Sequence, residues 1–284
     1  MKNLLTYKFG TFIRRGLSRR MLLADYSMSS TRHCDFCAAP LKAQNPRLRM
    51  VPPTYGHCRN CHLLFSEFPM PNYQAEAIYS PSNEFLDANI QHYRQLFLAH
   101  PKLIQSIQEA GIRNLIDLAG GTGLFPRMIC QHVPSIEEIK IIEVGGYAND
   151  SELHDRINHR LGTQTPVSFE PRDVLEYLGD TSTACPDNTL ISCVHFIDHL
   201  RQPMKFLAML KSFSNASNVY ALVYCHALDS YKGRDWFVTN TTPPGEHQII
   251  YSRKALRNLL SAYGEVLQSE IYCDDQYHFL KINT

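Results

Sequence analysis

A short apolar run, Leu115-Ile116-Asp117-Leu118, passes directly into Ala119-Gly120-Gly121-Thr122-Gly123 and then into a helical pattern from Leu124 to His132. Strand, glycine turn and helix in that order leave few folds open. Glycines let the backbone approach a ligand closely, and a helix N-terminus offers unpaired N–H groups. A second strand, Ile139-Lys140-Ile141-Ile142-Glu143, ends on a carboxylate twenty residues after Gly123. An acidic side chain at that strand end can hold the two hydroxyls of a ribose. The dinucleotide fingerprint G-x-G-x-x-G needs a third glycine where this chain has Pro126, which argues against a pyrophosphate ligand.

The alternation continues through strands Val167-Ser168-Phe169 and Thr189 to Cys193, a helix over 204–213, strand Val219 to Tyr224 and a helix over 253–263. Two last strands, Glu265 to Tyr272 and Gln276 to Ile282, are joined by Cys273-Asp274-Asp275 and read as an antiparallel hairpin. Such a pattern predicts an α/β fold, a mostly parallel sheet with helices on both faces and a ligand at its strand ends.

Over residues 109–284 the chain resembles the class I S-adenosylmethionine-dependent methyltransferases. Their first motif, an acidic residue and then G-x-G-x-G, is read here as Asp117-Leu118-Ala119-Gly120-Gly121-Thr122-Gly123, with Ala119 in place of the first glycine. The resemblance implies a Rossmann-like sheet with an antiparallel last strand. It also implies that Asp117, Ala119, Gly121, Thr122 and Gly123 cradle the methionine part of S-adenosylmethionine and that Glu143 holds the ribose. Asp173, with Val174 beside it, is placed near the adenine amino group, and Val194 at the end of the fourth strand completes the cofactor-binding set. The stretch Val194 to Pro203 looks like the family's Leu-Glu-His-Leu and proline, with Asp198 for the glutamate and His199 in register.

Of nine cysteines, four form two C-x-x-C pairs, Cys34 with Cys37 and Cys58 with Cys61, twenty residues apart. This is zinc-ribbon spacing in a reducing compartment: four thiolates close a tetrahedral site and give Zn2+ a structural role. A module of about 40 residues buries too little apolar surface to fold alone, and metal binding supplies the difference. The histidines His33, His57 and His62 are read as neighbours of the site. The zinc ribbon is assigned to residues 31–71, including the strand Leu63-Leu64-Phe65, and a helical connector to residues 72–108. In the connector Ile90, Tyr93, Leu96 and Phe97 recur at helical spacing, so it is expected to pack on the next domain. Residues 1–30 form a basic extension, since Lys2, Lys8, Arg14, Arg15, Arg19 and Arg20 precede the first acidic residue, Asp25. A plain extension, a surface-binding helix and an organelle-import segment all fit it; otherwise the expected location is cytoplasmic. No run approaches the roughly 20 apolar residues of a membrane span.

Methyl transfer needs the acceptor held near the methyl carbon and, for hydroxyl or carbon acceptors, a base; histidine titrates in the right range. His199, His226 and His247 lie beyond strand ends. The segment Glu246-His247 to Tyr251-Ser252 resembles one in zinc-module methyltransferases that modify carbon on nucleotide-linked sugars, which implies His247 at the acceptor site and Tyr251 close by. The expected catalytic set is therefore His247, Tyr251 and His199. Ser252 ahead of Arg253 and Lys254 also reads as a helix N-cap, with His247 bracing the loop. Tyr79 is a candidate to reach the pocket from the connector, and Asp235-Trp236-Phe237 reads as a lid with an aromatic face for substrate. Lys plus Arg number 28 against 27 acidic residues, a balance that favours a small-molecule acceptor over nucleic acid. An RNA methyltransferase and a non-catalytic scaffold of the same fold stand as alternatives.

Overall fold

The computed structural model describes residues 34, 36–37, 39, 42–43, 55–66, 81–145, 150–162, 165–230 and 247–282. The strands that make the main sheet are β4 (Asn114–Leu118), β5 (Glu138–Ile142), β6 (Val167–Glu170), β7 (Thr189–Val194), β8 (Tyr220–His226), β10 (Gly264–Tyr272) and β11 (Asp275–Ile282). They form a seven-stranded sheet in the order β10-β11-β8-β7-β4-β5-β6. The β4–β5, β5–β6, β4–β7 and β7–β8 pairs are parallel, whereas β11 is antiparallel to both β8 and β10. Because the chain leaves β4 toward β5 and β6 and then returns to β7 on the other side, strand order reverses beside β4. In open α/β sheets the crevice at such a reversal takes the ligand.

Alternating side chains bury both faces of the sheet. Leu115, Ile139, Ile141, Leu190 and Leu222 share one core with α1 (Asn83–Ala99), α2 (Pro101–Glu109), α3 (Leu124–His132) and α4 (Ser151–Leu161). Ile116, Leu118, Ile191, Cys193 and Val223 share the other with α5 (Val174–Gly179), α6 (Pro203–Phe213) and α7 (Arg253–Ser261). The helical connector packs on the first face as expected. It breaks at His100 before Pro101, and its Tyr93 and Phe97 rings lie 5.0 and 5.9 Å from Phe125 of α3. Arg160 and Arg156 of α4 hold its start through Asp87, Asn83 and the Pro81 carbonyl.

A second sheet departs from the sequence-based layout. β1 (Lys42–Ala43), β2 (Tyr55–Cys58) and β3 (Leu63–Ser66) form the cysteine-bearing hairpin, and β9 (Ile249–Tyr251) adds to its edge in the order β1-β2-β3-β9. Leu63 pairs with Tyr251, and Phe65 with Ile249. Cys34, Cys58, Leu63 and Phe65 belong to the same buried cluster as α6 and α7, so the cysteine-bearing strands share a core with the main sheet. Among the described residues, no helix is long and apolar enough to cross a membrane.

Candidate active site

The glycine turn is held from below. Asp117, at the end of β4, is buried and accepts a hydrogen bond from the Ser192 hydroxyl of β7. Arg127, buried in the first turns of α3, donates from Nη1 to the carbonyls of Thr122 and Gly123 at 2.9 and 3.0 Å. Three residues of the turn, Ala119, Gly121 and Gly123, take positive φ values of 55°, 53° and 68°. A Cβ on Gly123 would run into Ile141 and Arg127, but one on Gly121 would meet nothing within 4 Å. The turn is thus packed on one side and open on the other, and Gly121 is its open point. Glu143 reaches over it: Oε2 accepts from the Gly121 N–H at 2.9 Å and Oε1 from the Gly145 N–H at 2.8 Å.

The three remaining predicted cofactor contacts have defined places. Asp173 is the N-cap of α5, its Oδ1 accepting from the N–H groups of Leu175 and Glu176. Val174 is buried beneath it, and Val194 is half-buried as the last residue of β7.

Burial raises the Asp117 carboxyl to about 7; Glu143 adds to the rise, while the Ser192 bond and Arg127 oppose it. Its folded-state value lies above the ordinary 3.8. The folded protein therefore binds the proton more tightly, and the stability linked to it is complete below pH 4 and lost as pH rises toward 7. Asp117→Asn keeps an acceptor for Ser192 and removes the charge. We expect the variant to gain on the parent by on the order of 3 kcal/mol between pH 4 and pH 8 in thermal melts. A difference between the two proteins that stays constant with pH would refute this.

At the ends of β7 and β8 lies a cluster of imidazoles and carboxylates. His195 follows β7, with φ at 49°, and its N–H donates to the Tyr224 carbonyl at 2.7 Å. Asp198 and His199 sit in a 3-10 turn, His226 ends β8, and His247 precedes β9. The rings of His195 and His226 are 4.7 Å apart, those of His226 and His247 4.8 Å, and those of His247 and His199 4.5 Å. Asp275 backs the cluster: Oδ1 lies 2.6 Å from His226 Nδ1, and Oδ2 accepts from the Tyr224 hydroxyl at 2.8 Å. His92 of α1 closes this network with Nε2 2.8 Å from the same hydroxyl.

Burial pushes His195 down to about 4, against the pull of Asp275, and pushes His247 well below its ordinary value. Burial acts against the charge on Asp198, yet the surrounding imidazoles, His199 and His247 first, outweigh it and hold the carboxyl below the usual range.

The structure brings His199 and His247, two of the residues named from the sequence, within ring contact of each other. Tyr251 is elsewhere in character: it is fully buried in β9, its ring edge-on to Phe36 at 6.4 Å, and burial raises its phenol well above the ordinary value. Ser252 caps α7 through Ala255 N–H. Tyr79, Asp235, Trp236, Phe237, Glu246 and the basic segment 1–30 lie outside the described residues. Sequence reasoning missed Asp275, read as a turn residue, and the roles of His195, His92 and Tyr224. Pairing the last strand with the fifth would have found Asp275, since the register sets it opposite His226.

The four paired cysteines converge, their Sγ atoms all within 4.8 Å of one another. Phe36 N–H points at Cys34 Sγ and Cys61 N–H at Cys58 Sγ, each at 3.4 Å. Burial pushes the Cys34 thiol up to about 11, whereas a backbone bond from Ala39 and the neighbouring thiols ease Cys37 down to about 7. Backbone N–H groups turned onto sulfur favour thiolates, the form in which cysteine binds a metal.

The sheet order, the open glycine turn and the acidic residue after β5 define the class I methyltransferase fold. No family model matches the chain, and no curated protein matches it. Among solved structures, it is similar to the S-adenosylmethionine-dependent methyltransferase SibL, at 14% identity and a TM-score of 0.50, over 71% of this chain and 59% of that one. It is also similar to human N-acetylserotonin methyltransferase, at 13% identity and a TM-score of 0.48, over 72% and 57% of the two chains. A third similarity is to the small RNA methyltransferase HEN1, at 13% identity and a TM-score of 0.47, over 71% of this chain and 26% of that one. The match thus spans less than two thirds of each of these structures.

Proposed function

We propose that the chain is an S-adenosylmethionine-dependent methyltransferase acting on a small-molecule acceptor. The observation that carries this reading is the glycine turn with an open Gly121, bridged by Glu143, at the strand-order reversal of the sheet. Asp117, Ala119, Gly121, Thr122 and Gly123 would hold the methionine end of the cofactor, and Glu143 would exchange its amide bonds for the ribose hydroxyls. Asp173, Val174 and Val194 would border the adenine. The bound sulfonium supplies an electrophilic methyl group.

The chain's own task is then to place and deprotonate the acceptor. His199 is half-buried beside the fully enclosed Asp198, and it is our candidate for the proton acceptor. Asp198 stabilises the imidazolium formed there. His247, packed between His199 and His226, positions the pair, and Tyr251 holds the segment that carries it. The four cysteines, by this reading, hold a structural zinc ion that fixes the hairpin on which β9 is built.

Nucleotide-linked sugars are the first acceptors to offer. Release of S-adenosylhomocysteine that depends on the acceptor, from protein already shown to bind the cofactor, tests the reading.

A further inference from the structure

We propose that His195, Asp198 and His226 form a binding site for a divalent transition-metal ion, separate from the cysteine cluster, with Asp275 as the group that orients His226. One nitrogen or oxygen from each of the three can be chosen such that all lie within 4.8 Å of one another. Asp198 is fully buried, and among the described residues neither of its oxygens has a hydrogen-bond partner. The His247 Nε2 approach at 3.8 Å is beyond hydrogen-bond length. A buried carboxylate without a partner is costly, and a cation is what satisfies it.

The histidines are prepared in the same sense. His195 has a buried Nδ1 without a partner among the described residues, while its Nε2 lies 4.0 Å from Asp275 Oδ2. In His226 it is Nδ1 that lies 2.6 Å from Asp275 Oδ1. A carboxylate behind a ligating imidazole fixes its tautomer and raises its basicity, as in known metal centres. The left-handed backbone at His195 is strain of the kind that collects at functional sites.

Asp198 also belongs to a trio with His199 and His247. The first trio is preferred because Asp275 is bonded to its His226 and His195 brings a buried Nδ1 with no hydrogen-bond partner among the described residues. Two imidazoles and one carboxylate suit zinc, iron(II), cobalt or nickel and not calcium or magnesium. Three protein ligands leave a coordination position for water or an acceptor hydroxyl.

The test needs neither cofactor nor acceptor, so failure of the methyltransferase reading would leave it intact. Full-length protein is loaded with zinc, desalted, and assayed for bound metal beside Asp198→Ala and His195→Ala. Each variant should hold one equivalent less than the parent; variants holding as much zinc as the parent would overturn the proposal. X-ray absorption at the zinc edge of the parent is independent of how the variants fold. A nitrogen and oxygen shell at about 2.0 Å beside the sulfur shell at about 2.3 Å is expected, and a sulfur-only shell would also overturn it.

Discussion

Gly123→Ala is expected to destabilise the protein by about 3 kcal/mol, and Gly121→Ala, two residues earlier in the same turn, by only about 1 kcal/mol. Both positions have positive φ, 68° and 53°, so both substitutions carry the backbone penalty of a left-handed residue. They differ in what the new methyl group meets. At Gly123 it collides with the Ile141 side chain and comes within 2.6 Å of Arg127 Nη1. Arg127 cannot give way freely, since that nitrogen already bonds two carbonyls of the turn. At Gly121 the methyl group points into open space. Urea denaturation of the two variants reads the difference as a shift in midpoint at constant slope. Equal losses would mean that the turn is not packed from below as described.

Removing the zinc ion proposed for the cysteine cluster should have the second large effect. Cys34 and Cys58 are almost completely buried in the core shared with α6 and α7, and β3 carries β9 on its edge. Without an ion, four thiols would be left close together with nothing to hold the hairpin closed. A loss of about 4 kcal/mol, modest for a structural zinc site, lowers the melting midpoint by about 10 °C in a chain of this size. The effect should reach the candidate active site along a continuous path. Ser66 N–H bonds the Gln248 carbonyl, Gln248 N–H bonds the Asp198 carbonyl, and Arg201 bonds the Gln248 side chain. Chelation or Cys58→Ser should therefore speed amide exchange at Ile249 to Tyr251 as well as lower the midpoint. An unchanged midpoint in metal-stripped protein would remove the structural role assigned to the cysteines.

Much of the main sheet was legible because each of its signals is local. The bounds of α3 match the pattern from Leu124 to His132, and the glycine turn and the hairpin of the last two strands come from short runs with strong turn chemistry. β9 was not legible: three apolar residues carry no period, and their partner strand lies far back in the sequence. The same distance hid the centre. His195, His226 and Asp275 come from three segments, and only the parallel pairing of β7 with β8 and the antiparallel return of β11 bring them together. The sequence marked His199 and His247 because both follow recognisable segments. It could not show that Asp198 between them is fully enclosed, because burial of one carboxylate depends on every element around it.

The most direct test of the central claim is isothermal titration of zinc-replete protein with S-adenosylmethionine, beside a Gly121→Arg variant. The arginine side chain would leave from the point where an added Cβ meets nothing within 4 Å. Binding by the parent, with no detectable binding by a variant that still unfolds in one cooperative transition, is the predicted result. A folded parent that takes up no S-adenosylmethionine, or a variant that binds it as well as the parent does, would contradict the account.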